Sequence, residues 1–172
     1  DVVAGEDIAS VSGDGTYEYG ETVEISAEEV VEAGYTITFA NWTATSGEIA
    51  DASNKVTTIV MPAEDVEVEA TANRVANTNT AYKVEHYQED LKADTFTKVD
   101  TDNQTGTTDE KATYEANEYE GFTFDDTLTT PEDLTILGDG SLVIKLYYTR
   151  NSYELDVVAG EDIASVSGDG TY

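Results

Sequence analysis

Residues 1–17, Asp1-Val2-Val3-Ala4-Gly5-Glu6-Asp7-Ile8-Ala9-Ser10-Val11-Ser12-Gly13-Asp14-Gly15-Thr16-Tyr17, return letter for letter as residues 156–172. The offset is 155 positions (156 − 1). An identity this long is not chance, so the chain reads as one period of a tandem array followed by the start of the next. A duplicated end left by cutting is the competing reading. Solenoid repeats run roughly 20–50 residues, and each unit buries its face only against a neighbour. A period of 155 residues is long enough to hold complete domains. The expectation is therefore a string of folded modules.

Charge narrows the partners. The chain carries 37 Asp and Glu against 8 Lys and Arg, a formal net of −29. Nucleic-acid affinity comes from cations that displace counterions from phosphates, and anionic membrane faces attract cations likewise. No nucleic-acid partner is expected, and no membrane insertion within this segment. Divalent cations and cationic proteins remain electrostatically favoured, and halophilic adaptation also produces such a surface. Acidic chains are often disordered. Here 39% hydrophobic content, 11 Tyr and clear alternation argue for folded strands instead. There is no cysteine, which removes disulfides, thiolate chemistry and Cys-based zinc sites.

The first half alternates with period two. In Thr22-Val23-Glu24-Ile25-Ser26-Ala27 the apolar residues share one face, as they do in Asp65-Val66-Glu67-Val68-Glu69-Ala70. That pattern predicts antiparallel sheet with one wet side. Tyr35, Ile37 and Phe39 share a face, and Trp42 has the wrong parity for it. Either a bulge near Ala40-Asn41 turns Trp42 inward or it caps the core from the strand end. A further strand over 54–61 stops at Pro62. Glu28-Glu29-Val30-Val31-Glu32 is long enough for one helical turn. Residues 74–81 lose the alternation and mark a boundary.

In the second half, strands are predicted at Tyr82-Lys83-Val84-Glu85-His86-Tyr87-Gln88, at 96–100 and at Gly121-Phe122-Thr123-Phe124. Thr107-Thr108-Asp109-Glu110 has capping-box spacing, which predicts a short helix over 109–114. Leu142-Val143-Ile144-Lys145-Leu146-Tyr147-Tyr148 is apolar on both faces and is placed at the centre of the sheet. From Tyr147 to Val158 there is no Gly or Pro, so this strand is expected to run unbroken into the next unit. Residues 156–172 are then an orphan beginning that needs a partner sheet.

The residues Tyr82-Lys83-Val84-Glu85-His86-Tyr87-Gln88, Tyr119-Glu120-Gly121-Phe122-Thr123-Phe124, Gly138-Asp139-Gly140-Ser141-Leu142 and Leu146-Tyr147-Tyr148-Thr149-Arg150-Asn151 closely resemble mucin-binding-protein-like (MucBP-type) repeats of large bacterial surface proteins. Gly13-Asp14-Gly15-Thr16-Tyr17, Gly20-Glu21-Thr22-Val23, the stretch from Ala33 to Trp42 and Met61-Pro62-Ala63-Glu64-Asp65-Val66 resemble the divergent internalin B-repeat family. The resemblance implies a mainly β chain of two small modules arranged end to end as an elongated tandem. It divides into a B-repeat-like module over 1–75, a short linker over 76–81, a β-grasp-like MucBP module over 82–152 with at most one short helix, and the start of the next repeat over 153–172. It further implies an extracellular, Gram-positive cell-wall setting, with attachment through regions outside this chain, and adhesion or spacing as the role. Adjacent copies of the repeat, host glycoproteins and mucin glycans are the partners it suggests. It supplies no catalytic residues and no cofactor.

Chemistry-bearing residues are few. His86 is the only histidine and falls on the core face with Tyr82 and Val84. A general base needs a nucleophile and an orienting partner, and neither stands near it in sequence. A metal would need oxygen ligands, which suits Ca2+. Asp100-Thr101-Asp102-Asn103-Gln104-Thr105-Gly106 has the look of a calcium loop, but its glycine is one place late and Lys111 stands where a bidentate Glu belongs. Lys83 and Lys145 are the candidates for an isopeptide staple in a cysteine-free module. Acids abound, so paired carboxylates carry no hydrolase signal. Tyr17, Tyr19, Tyr87 and Tyr147 are the candidate ligand-binding residues, because tyrosine offers sugars an apolar face and a polar tip. The competing role for them is filling small β cores.

Overall fold

The computed structural model describes residues 1–92, 94–163 and 165–171, and the secondary structure among them is all β. No helix among these residues is long and apolar enough to cross a membrane. The chain divides into two compact units. Unit 1 comprises Asp1–Thr80, Thr105–Glu110 and Ile136–Ser141, and unit 2 comprises Ala81–Gln104, Lys111–Thr135 and Leu142–Tyr172.

Unit 1 holds β1 (Val2–Ala4), β2 (Ile8–Ser12), β3 (Thr22–Glu29), β4 (Tyr35–Ala44), β5 (Glu48–Ile49), β6 (Val56–Val60) and β7 (Val68–Ala76). They form one sheet in the order β1-β7-β4 and a second in the order β2-β3-β6-β5. The alternation read from the sequence is the burial pattern observed. Val23, Ile25 and Ala27 of β3 and Val68 and Ala70 of β7 are buried, and Ile8, Trp42 and Ile59 complete the same core. Every buried strand residue in it stands next to an exposed or half-buried polar one, as a one-sided sheet requires.

Trp42 reaches that core through a bulge. The β4–β7 register slips between Phe39 and Asn41, so Phe39 pairs with Ala72 and Asn41 with Thr71. One residue is absorbed, the parity reverses, and Trp42 turns inward to 2% exposure. Its indole N–H donates to the Asn54 carbonyl at 3.2 Å and its ring meets Phe39 at 5.7 Å.

Residues 28–32 form no helical turn. Glu28 and Glu29 close β3, where Ile8 pairs with Glu29, and Lys55 Nζ bonds both carboxylates at 3.2 and 3.1 Å. Sheet pairing and that clamp outweigh local helix propensity, and Val31 is left fully exposed. Residues 74–76, read as polar boundary, finish β7. There the Arg74 guanidinium bonds Asp7 and Glu32 at 2.9 and 2.8 Å and lies 3.6 Å from the centre of the Tyr35 ring.

A further four-stranded sheet consists of β8 (Thr80–Glu89), β9 (Phe96–Gly106), β10 (Phe122–Thr130) and β11 (Val143–Arg150), in the order β10-β11-β8-β9. The central pair, β8 and β11, is parallel, with Ile144 opposite Val84 and Leu146 opposite His86. This order and its parallel centre are those of a β-grasp sheet, without a helix among the described residues. β11 is interior, as its two apolar faces imply, and Ile144 and Leu146 are fully buried.

The helix expected over 109–114 is absent. Asp109 has a φ of 67°, in the left-handed region that an α-helix cannot contain. The segment is held in extended bridging instead: Lys111 pairs with Thr135, and the Ala112 amide donates to Leu134 at 2.9 Å. Residues 100–106, whose spacing departs from that of a calcium loop, lie inside β9.

The strand from unit 2 does not continue unbroken. β11 ends at Arg150, where the Asn151 amide donates to Gly121 at 2.9 Å and the β10 ladder runs out at that glycine turn. A separate β12 (Glu154–Leu155) then pairs antiparallel with β13 (Gly170–Thr171). The orphan segment therefore pairs with its own flank; Ala164 and Tyr172 within it lie outside the described residues. Ile163 is 55% exposed, whereas its counterpart Ile8 is 7% exposed.

Candidate functional site

Two of the four candidate tyrosines meet at a cleft in unit 1. The turn after β2 needs Gly13, whose φ is 106° and where a Cβ atom would stand 2.6 Å from the Glu24 carbonyl oxygen. Tyr17 folds back over this turn, its hydroxyl donating to the Gly13 carbonyl at 3.1 Å. The loop after β6 is tied to the same place, since the Gly20 amide donates to Met61 and the Met61 amide to Glu21, each at 2.9 Å. Between these loops lies an open cleft of about 990 Å3. Val23, Ile25, Ile59 and Val68 supply apolar lining, while Glu64, Asp65 and Glu67 make part of its wall acidic. Tyr17 and Tyr19 both border it, and Tyr19 is 80% exposed. The acids were visible in the sequence, but their convergence depends on two loops more than forty residues apart.

Tyr87 and Tyr147 meet in unit 2. They are cross-strand partners on β8 and β11, and their rings stack with centroids 5.3 Å apart. Phe96 packs its edge against Tyr147 at 5.0 Å and Lys145 Nζ lies 5.8 Å from the Tyr87 ring centre. Much of the aromatic surface here is already committed to neighbours. The Tyr87 hydroxyl donates to Glu85 at 2.7 Å, and that carboxylate, with burial second, pushes the phenol up to about 12. Tyr87 in turn, then Lys98, holds Glu85 below its usual range.

This contact has a pH signature. A phenol with a raised value binds its proton more tightly when folded. The stabilisation is complete below the ordinary tyrosine value near 10 and is lost as pH rises from there through about 12. NMR of the tyrosine rings is expected to place the Tyr87 midpoint near 12, and Glu85→Gln to move it back towards about 10. Co-titration of Tyr87 with exposed tyrosines in the parent chain contradicts the assignment.

His86 is fully buried in the same unit. Its Nδ1 lies 2.8 Å from the Tyr148 hydroxyl and its Nε2 lies 3.2 Å from Asp102. The Asn117 amide donates to that hydroxyl at 2.9 Å. A donor chain in one direction satisfies each group: Asn117 N–H to Tyr148, Tyr148 O–H to Nδ1, Nε2–H to Asp102. The sequence placed His86 on the core face but gave no sign of these partners. The network encloses the ring and links three strands, β8, β9 and β11, and it presents no free nucleophile. Lys83 is exposed on β8 and Lys145 faces an aromatic ring, so neither contact set resembles a staple. Among the described residues no three His, Asp or Glu side chains converge as a metal site.

No curated protein and no solved structure matches this chain. Residues 2–76 match the family model of the divergent InlB B-repeat domain, a repeat domain of surface proteins that is generally non-enzymatic.

Proposed function

We propose that the chain is a non-enzymatic repeat unit of a bacterial cell-surface adhesin that serves as stalk or spacer, held to the cell wall through regions outside this chain. The observation that carries the reading is the verbatim return of residues 1–17 at 156–172. The B-repeat match over residues 2–76 supports it, as does the β-grasp strand order in the MucBP-like half. A net charge of −29 per chain adds self-repulsion that extends an array. Small-angle scattering on chains of one, two and three periods tests it. A radius of gyration that rises nearly in proportion to the number of periods is expected. Growth with roughly the 0.38 power of length, as for one compact body, rejects the spacer role.

A second reading is a glycan- or mucin-binding module. What favours it is the pairing of Tyr17 and Tyr19 at an open cleft with acidic hydroxyl acceptors. Carboxylates and an exposed aromatic ring are the groups that recognise sugar hydroxyls and the apolar sugar face. Saturable binding of mucin oligosaccharides, lost in Tyr19→Ala, supports this reading; no binding by the parent chain rejects it.

A further inference from the structure

The two copies of the seventeen-residue stretch close their loops in the same way. The Val2 amide donates to Asp14 Oδ1 at 3.2 Å, and the Val157 amide donates to Asp169 Oδ1 at 2.7 Å. Val2 corresponds to Val157 and Asp14 to Asp169 in the repeated text. Upstream of this shared contact the copies differ. In the second, Leu155 pairs with Gly170 and Glu154 with Thr171. The counterparts of Gly170 and Thr171 are Gly15 and Thr16, which belong to no strand and border the cleft of unit 1.

Strand parity says where a leucine in that register would point. Leu155 stands two residues before Val157, whose counterpart Val2 opens β1, and a strand extended back from β1 puts the residue two places before Val2 on the Val2 face. The counterpart of Val157 is Val2, which packs against the core of unit 1 and borders the same cleft. A leucine two places before Val2 is thereby directed to the side on which Val23, Ile25, Ile59 and Val68 line the cleft.

We propose that the cleft of unit 1 is the seat for the end of a preceding copy of this chain, whose Glu154-Leu155 pairs with Thr16 and Gly15 and whose Leu155 side chain covers the apolar lining. The occupant follows from the text itself, since Leu155 directly precedes Asp156 at the one junction between copies that the chain contains. The inference rests on the spacer reading and gives it a joint: successive units share a two-residue ladder and a buried leucine.

The test adds Ser-Tyr-Glu-Leu, the text of residues 152–155, ahead of Asp1 in the full chain. Unfolding of unit 1 is followed by the fluorescence of Trp42, the single tryptophan. The midpoint is expected to rise by about 5 °C or more, as burial of one leucine predicts for a small unit. Amide exchange at Gly15 and Thr16 is expected to slow at least about tenfold. The same extension with its leucine replaced by aspartate is expected to leave the midpoint near that of the parent. No rise, or an equal rise with leucine and aspartate, overturns the proposal. Failure of the spacer reading shows separately, as compact scattering by long arrays whether or not the extension stabilises unit 1.

Discussion

Trp42→Ala is expected to remove about 3–5 kcal/mol from the stability of unit 1. The indole is 2% exposed and lies in a core that draws side chains from both sheets of that unit. Truncation opens a cavity that flanking strands cannot close, because their positions are fixed by ladders on either side. It also removes the donor to the Asn54 carbonyl. Small domains hold about 5–15 kcal/mol in total, so the loss brings unit 1 close to unfolding at ambient temperature. Urea titration followed by the NMR amide signals of Ile25 and Ile59 measures it directly. A loss below about 1 kcal/mol would mean that the ring does not fill this core.

Tyr148→Ala is expected to cost unit 2 a similar amount, about 3–5 kcal/mol, and Tyr148→Phe about 1–3 kcal/mol. The ring is 1% exposed and packs against Tyr119 at 4.8 Å, Phe124 at 5.5 Å and His86 at 5.8 Å. Alanine loses all three contacts. Phenylalanine keeps the ring but strands the Asn117 amide and His86 Nδ1 without the hydroxyl that joined them. Leaving polar groups unpaired in the interior is the larger part of that cost. Chemical denaturation of the two variants, read from unit 2 amide signals such as Ile144, separates ring from hydroxyl. No loss in Tyr148→Phe would remove the hydrogen-bond network from the account.

Strands were legible where burial is one-sided. The alternation in β3 and in the first half of β7 named the core residues, and the parity error at Trp42 left a bulge or an end cap open, of which the bulge forms. Where pairing decides, local signals misled. Thr107-Thr108-Asp109-Glu110 carries helix-capping spacing, yet Asp109 adopts a left-handed φ and its flank bridges to residues 134–136. Residues 28–32 likewise give way to ladder and ion pair. The repeated stretch shows this most directly, since the same letters make β1 and β2 beside β7 and β3, and make no strand among the described residues of 157–169. The partner, not the propensity, creates those strands. Of the four candidate tyrosines, Tyr17 and Tyr19 stand outside the strands, and Tyr87 and Tyr147 stand on β8 and β11. The pairings Tyr17 with Tyr19 and Tyr87 with Tyr147 depend on loop closure and cross-strand register, which no local pattern encodes.

In unit 1 the first strand lies parallel and adjacent to the last, β1 beside β7, and in the four-stranded sheet β8 to β11 the first strand likewise lies parallel and adjacent to the last. A pull applied at the two ends of β8–β11 does not unzip the ladder one bond at a time. It drives the two strands past each other, so the bonds along six paired positions from Val143 to Tyr148 bear the tension together. In such a shear geometry, resistance to stretching resides in how the strands are ordered.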